Sequence, residues 1–263
     1  MVKKKISCIK GIVVASVTCC VLLTVAIAGN FFLANRVLVP AGEPVDSGEI
    51  VTQRVSGIIE EMDMDELTEK SNLIIRGVVA DIGTPIQIEA VGGGITNFTN
   101  YTIQVSDVIS GTETETAIVR VQGGTVNDLE VICDEAPDLV LGKEYILFLY
   151  RPDLGGGYNT TGDYHYITGR YQGVYEIGDG DSEFVKMAIP AERQGTSSVQ
   201  QVSISQFVAD IDEAKMKLPS GYIYSVDNEF QSNLQANLES GFISQEEYEQ
   251  MLAEREQYAT ILN

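Results

Sequence analysis

The side chains that most often start catalysis are scarce in this sequence. It carries one histidine, His165, in TGDYHYITG, and beyond residue 36 a single cysteine, Cys133. A zinc site needs about four ligands, usually with His or Cys among them. Ser–His or Cys–His catalysis needs an imidazole beside the nucleophile. One imidazole and one thiol far apart in sequence meet neither requirement, so no catalytic, metal-binding or cofactor-binding residue is assigned and the chain reads as a non-enzyme. His165 is expected to be a satisfied or solvent-facing strand histidine, and Cys133 a partly buried small residue.

Carboxylates are abundant, 38 of them, which makes any chosen pair uninformative about glycoside hydrolysis. Asp179, Asp181 and Glu183 in GDGDSE do not match the spacing of a calcium loop and read as a turn. Gly92–Gly94 and Gly155–Gly157 lack the following helix and lysine of a phosphate cradle. Tyrosine is the remaining concentration, with five of the chain's twelve between residues 155 and 180. In a strand, Tyr164 and Tyr166 share one face and His165 takes the other; Tyr171 and Tyr175 would share a face of the next strand. Two readings stay open. The tyrosines either pack across strands in a core that lacks tryptophan, or Tyr164, Tyr166 and Tyr171 form a contact surface for a sugar, peptide or partner chain.

The elements that position these residues are legible from periodicity. Residues 50–70 carry Ile58, Ile59, Met62 and Leu67 at helical spacing, which predicts a helix whose final turns start near Asp63. From Asn72 the period becomes two. NLIIRGVVADI is a strand that Gly77 bends or bulges; Ile86 and Ile88 alternate briefly before a glycine turn. YTIQVSDVISG alternates and then slips phase at Val108, as at a bulge or a strand end. AIVRVQGG and the nearly all-apolar, central EYILFLY follow, then DYHYITG, YQGVYEI and EFVKMAI. Past Pro190, Phe207, Ile211, Ala214 and Leu218 recur at helical spacing, with Ser203 or Ser205 as N-cap and Pro219–Gly221 as the stop. The tail has Leu234 and Leu238 on one arm, Gly241 at a turn, and Ser244 with Glu247 as a capping box before a second arm.

At the N-terminus, Gly11–Leu33 is a 23-residue run without charge, long enough to span about 30 Å of hydrocarbon. Lys3, Lys4, Lys5 and Lys10 precede it and only Arg36 follows closely, which orients the N-terminus to the cytoplasm and the remainder outside. The rival is a signal peptide cleaved after Ala28. VLVPAGEPVDSGE then reads as a stalk. A single exported cysteine allows no internal disulfide, which favours a bacterial surface protein. The net charge is −21, but residues 1–36 hold five basic groups and no acidic one, so the rest carries 12 basic against 38 acidic side chains. A surface that acidic repels phosphate backbones, so no nucleic-acid partner is expected. The sequons at Asn97, Asn100 and Asn159 are read as incidental.

The series ELTEKSNLIIRGVVADI, YTIQVSDVISG, IVRVQGG, LVLGKEYILFLY and YQGVYEI resembles a widespread group of exported bacterial domains of unknown function. Their features include a Val-Arg-x-x-Gly-Gly strand end and a closing Gln-Gly-x-Tyr/Phe. That group is similar in outline to OB-type barrels of the netrin and metalloproteinase-inhibitor kind, over about residues 64–218. The resemblance implies an OB-like barrel; the inhibitors' disulfide-pinned N-terminal cysteine is missing, so protease inhibition does not carry over. LESGFISQEEYEQMLAE is similar to short C-terminal helical hairpins of bacterial proteins, which implies oligomer contacts.

The expected architecture is therefore mainly β. It comprises a cytoplasmic basic tail (1–10), a transmembrane anchor (11–33) and a stalk with a helix start (34–62). A small closed or partly open OB-like barrel (63–190), a packing helix (198–220) and a helical hairpin (228–263) follow. The expected function is a membrane-anchored extracytoplasmic binding module at a bacterial cell surface, with an unknown protein or polysaccharide partner. Two alternatives stand beside it: a carboxylate-dependent hydrolase of envelope polymers, and an assembly protein forming homo-oligomers through the hairpin.

Overall fold

A computed structural model describes residues 50–57, 59–89, 94–151, 163–178, 184–190 and 201–261. The expected basic tail, anchor, cleavage position and stalk up to residue 49 lie outside the described residues, as do Gly155–Gly157, Asn159 and the turn at Asp179 and Asp181. Among the described residues no helix is long and apolar enough to cross a membrane. All of them belong to the unit Gly48–Asn263.

The fold is mainly β, as the alternating runs imply. Its first element corrects an expectation: VTQRV, placed in a helix and stalk by its sequence, is the strand Val51–Val55 (β1). It lies parallel to Leu129–Cys133 (β7), with Val51 opposite Leu129 and Val55 opposite Cys133. β-Branched residues favour the extended form, and the partner that decides the matter is remote in sequence. The helix is confined to Met64–Glu69 (α1), the final turns of the expected 50–70 helix, with Asp63 as its N-cap. There the Glu66 N–H donates to Asp63 Oδ1 at 2.9 Å and the Asp63 N–H donates to Glu66 Oε2 at 3.1 Å, a reciprocal cap.

Leu73–Ile82 (β2) is flanked on both sides by antiparallel partners, Ile95–Ser110 (β4) and Glu144–Tyr150 (β8). The ladder of β2 with β4 skips Ser106 opposite the step from Arg76 to Gly77, and Ile109 opposite the step from Ile74 to Ile75. These are the bulges expected at Gly77 and near Val108. A Cβ on Gly77 would sit 2.7 Å from the Gln104 carbonyl oxygen, so only glycine permits that approach. β4 is longer than predicted: residues 95–100, assigned to no strand by periodicity, extend it and pair with Ile86–Glu89 (β3) and Thr116–Gln122 (β5). Gly124–Val126 (β6) forms with β7 a hairpin that periodicity did not reveal.

Tyr166–Ile167 (β9) and Val174–Ile177 (β10) both pair with β8. Phe184–Met187 (β11) and Val202–Ser203 (β12) extend the sheet to the order β12-β11-β10-β8-β2-β4-β3, with β5 on β4 and β9 on β8. Of the expected closed or partly open barrel, the closed form is not made among the described residues. Between β5 and the strand leading into β9 there is one parallel bridge, Val119 to His165. It consists of Arg120 N–H donating to the His165 carbonyl and His165 N–H donating to the Ile118 carbonyl, each at 2.8 Å.

β8 is central and buried on both faces, as its unbroken apolar run predicts. Tyr145, Leu147 and Leu149 join Ile75, Val79, Ile103, Val119 and Val174 in one core. Ile146 and Phe148 join Leu67, Ile74, Ile177 and Val185 in a second. Ile204–Lys217 (α2), capped by Ser203, covers the second core with Phe207, Ile211 and Ala214, the spacing seen in the sequence. Val226–Glu239 (α3) and Gln245–Ile261 (α4) form the tail hairpin, with Gly241 at φ 71° between them. Ser244 and Glu247 cap α4 as expected: the Glu247 N–H donates to Ser244 Oγ and the Ser244 N–H donates to Glu247 Oε2. Lys70 pairs with Glu229 at 2.8 Å, and Asn72 Nδ2 donates to the Tyr224 carbonyl at 2.8 Å.

Candidate functional site

The aromatic side chains gather where β4, β5, β8 and β9 meet. Alternation along DYHYITG puts Tyr164 and Tyr166 on one side, and their ring centroids lie 5.5 Å apart, edge to face. Tyr166 also meets Tyr150 at 5.8 Å and Phe98 at 6.2 Å. Tyr150 in turn meets Tyr224 edge-on at 6.1 Å. Beneath them is Arg120, only 7% exposed, its guanidinium 3.6 Å from the centroid of the Tyr164 ring. Arg120 Nε donates to Asn100 Oδ1 at 2.9 Å, which the opposed register of Asn100 and Arg120 on β4 and β5 makes possible. A cation stacked on a desolvated ring is worth about 2 kcal/mol, enough to hold Tyr164 in one orientation.

The three tyrosines singled out in the sequence part company here. Tyr164 is buried at 2% exposure and serves as the floor. Tyr166 is half-buried among the other rings. Tyr171 does not lie on a strand: it is half-buried in a 3-10 turn, Arg170–Gly173, and β10 begins only at Val174. The expected shared face of Tyr171 and Tyr175 is therefore absent. Tyr175 instead packs in the second core, 4.4 Å from Phe207 and 5.9 Å from Phe148. Arg120, Phe98, Tyr150 and Tyr224 were missed in the sequence. The one available signal was an arginine inside the apolar strand AIVRVQ, where a charge has to find a partner.

Burial pushes the Tyr166 hydroxyl well above the ordinary phenol range, with Tyr164 and Tyr150 adding to the effect. Burial also pulls His165 below its ordinary value, with Arg151 reinforcing it. Its Nδ1 is buried without a hydrogen-bond partner.

Elsewhere the reactive types sit in structural networks. Cys133 is buried, with Arg170 Nη1 3.0 Å from its Sγ. The fully buried Glu135 accepts from Ser56 Oγ at 3.2 Å and from the Gly57 N–H at 3.0 Å, tying the chain after β1 to the end of β7. Arg76 Nε and Nη2 donate to the two oxygens of Glu144 at 2.8 and 2.9 Å. That grip holds the Glu144 carboxyl below the ordinary range, opposite to what a general acid needs. Among the described residues no three His, Cys, Asp or Glu side chains are grouped so that they could hold a metal ion. Asn97 is fully buried, its Nδ2 donating to the carbonyls of Gly124 and Leu129, so this sequon is internal scaffolding.

The Gln-Gly-x-Tyr pattern has a structural origin. Gln172 is buried; its Nε2 donates to the Glu60 carbonyl at 2.8 Å and its Oε1 accepts from the Met62 N–H at 3.0 Å. It thereby anchors the segment leading into α1. Gly173 follows because a Cβ there would fall 2.2 Å from the Thr168 carbonyl oxygen. Compared with known proteins, the chain matches no family model and no curated protein sequence.

Proposed function

We propose that this chain is a membrane-anchored extracytoplasmic binding module, single-pass with its N-terminus in the cytoplasm, whose contact surface is the aromatic cluster around Tyr166. The observation that carries the reading is the construction of that cluster. Tyr150, Tyr166 and Tyr224 are half-buried, while Tyr164 and Arg120 beneath them are buried and locked together. Half-covered tyrosines on a rigid floor offer amphipathic contact area at little entropic cost. The partner that suits such a surface is a polysaccharide or protein segment presenting a flat apolar face.

The finer fold reading that accompanies it is a partly open OB-like barrel. The pairing sequence β9–β8–β2–β4–β5 supports it, since the Val119–His165 bridge brings the last member back to the first in parallel. This agrees with the resemblance to exported bacterial domains. The apolar run Gly11–Leu33 and the acidic remainder support the anchor and the external placement.

The test is a titration of the chain with soluble cell-wall polysaccharide fragments and envelope protein extracts, followed by NMR shifts of the tyrosine ring protons. Shifts confined to Tyr150, Tyr166 and Tyr224, and lost in Tyr166→Ala, are expected. A partner that binds with unchanged affinity in Tyr166→Ala would refute the assignment of the surface.

A further inference from the structure

His165 is the chain's one histidine, and among the described residues it occupies the one bridge joining β5 to the strand that leads into β9. β5 meets β4 over a continuous ladder from Thr116 to Gln122, whereas among the described residues the backbone pairing at its other edge is the two hydrogen bonds at His165. A titratable side chain thus sits on this seam, beside the Arg120–Tyr164 stack that also spans it.

On balance the imidazole environment favours the neutral ring. Nδ1 is shielded from water and has no hydrogen-bond partner. A bare nitrogen tolerates that position at modest cost, whereas a buried N–H⁺ carries a desolvation cost that the Ile118 carbonyl offsets only in part. The charged groups around it come from each neighbouring element. Arg151, at the end of β8, opposes protonation, and Asp163, just before the bridge, favours it. Asp163 is exposed and already bound to Arg151 at 2.8 Å. From β5, the Ile118 carbonyl favours the charged ring, while Arg120 directs its guanidinium onto Tyr164 and Asn100. Tyr166 beside it stays neutral. Burial and Arg151 together outweigh Asp163 and Ile118, so the folded ring titrates below its ordinary 6.5.

We propose that His165 is an acid-operated latch: protonation drives its ring out to water and parts β5 from the β9 strand at Val119. The latch does not depend on what the domain binds. A base whose folded pKa lies beneath its unfolded value stabilises the closed seam fully above the unfolded value and loses that contribution as the pH falls through the folded one. Within that window each pH unit shifts the balance about tenfold.

The test is NMR on the full chain in detergent micelles from about pH 8 to about pH 5, the range in which histidine titrates. A single histidine makes the imidazole signal unambiguous. Hydrogen exchange at the Arg120 and His165 amides, corrected for its intrinsic pH dependence, should accelerate about tenfold per unit within the window. The β2–β4 amides should hold their protection. His165→Gln, which cannot titrate, should abolish the step; the wild-type measurement stands even where that variant folds poorly. Unchanged protection at the seam while the imidazole titrates would overturn the latch. So would simultaneous loss in the β2–β4 ladder, or a pH step that persists in His165→Gln.

Discussion

Replacing Gly173 by alanine tests how the turn after β9 is packed. The added methyl carbon would lie 2.2 Å from the Thr168 carbonyl oxygen, where ordinary contact begins near 3.4 Å, so the two must separate by about 1.2 Å. Thr168 has little room to retreat: its N–H donates to the Phe148 carbonyl at 2.9 Å, and its hydroxyl lies 2.8 Å from Ser71 Oγ and 3.2 Å from the Lys70 carbonyl. Movement must then fall on residues 170–173, which carry the Gln172 hydrogen bonds to Glu60 and Met62. Overpacking at a well-filled site costs about 1–3 kcal/mol, and the two strained or lost hydrogen bonds add about 1 kcal/mol each. The expected destabilisation is about 3–5 kcal/mol, against a total for such a domain of about 5–15 kcal/mol. Urea unfolding of fragment 48–263, followed by tyrosine fluorescence because the chain has no tryptophan, should show the midpoint falling by about 2 M at typical slopes. Gly57→Ala is the control, since a Cβ there meets nothing within 4 Å; it should be neutral or stabilising by about 0.5 kcal/mol. If Gly173→Ala unfolds within about 1 kcal/mol of the wild type, the close approach and the account of the Gln-Gly pair are wrong.

Phe207→Ala should cost about 3–5 kcal/mol, because the ring is buried between Tyr175 and Phe148; α2 amides that exchange no faster in the variant would contradict its role as the clamp on the second core. Glu135→Ala removes the acceptor for Ser56 and Gly57 and should cost about 2–3 kcal/mol, with hydrogen exchange rising first in β1; loss spread evenly over all strands would argue against a local tether. The Arg76–Glu144 pair adds a pH dependence whose sign is set by the lowered Glu144 pKa. Its contribution is present above the ordinary 4.5 and is lost as the pH falls through the lower folded value. Glu144→Gln should therefore flatten the acid limb of the stability profile, and a limb of unchanged slope would exclude this pair as its source.

Sequence legibility followed the range of the interaction. Elements whose signal is local were read correctly: the Phe207–Ile211–Ala214 face, the Ser244–Glu247 cap, the irregularities at Gly77 and beside Val108, and the doubly buried β8. Each depends on residues within a turn or two of one another, or on a period that the pleat or the helix imposes. The misreadings all involve partners remote along the chain. Val51–Val55 is a strand because β7 lies alongside it. Residues 95–100 continue β4 because β3 and β5 flank them.

The candidate site divides the same way. Alternation along DYHYITG by itself determined that Tyr164 and Tyr166 face one way and His165 the other, and composition alone determined that the chain has one imidazole and is strongly acidic beyond residue 36. Only the tertiary structure decided that Arg120 seals Tyr164 into the floor, that Tyr171 leaves the group for a 3-10 turn, and that the backbone of His165 joins β5 to the β9 strand. The physical reason is that facing is a property of one strand's pleat, whereas burial, stacking and ring charge depend on which other strands the fold brings within a few ångströms.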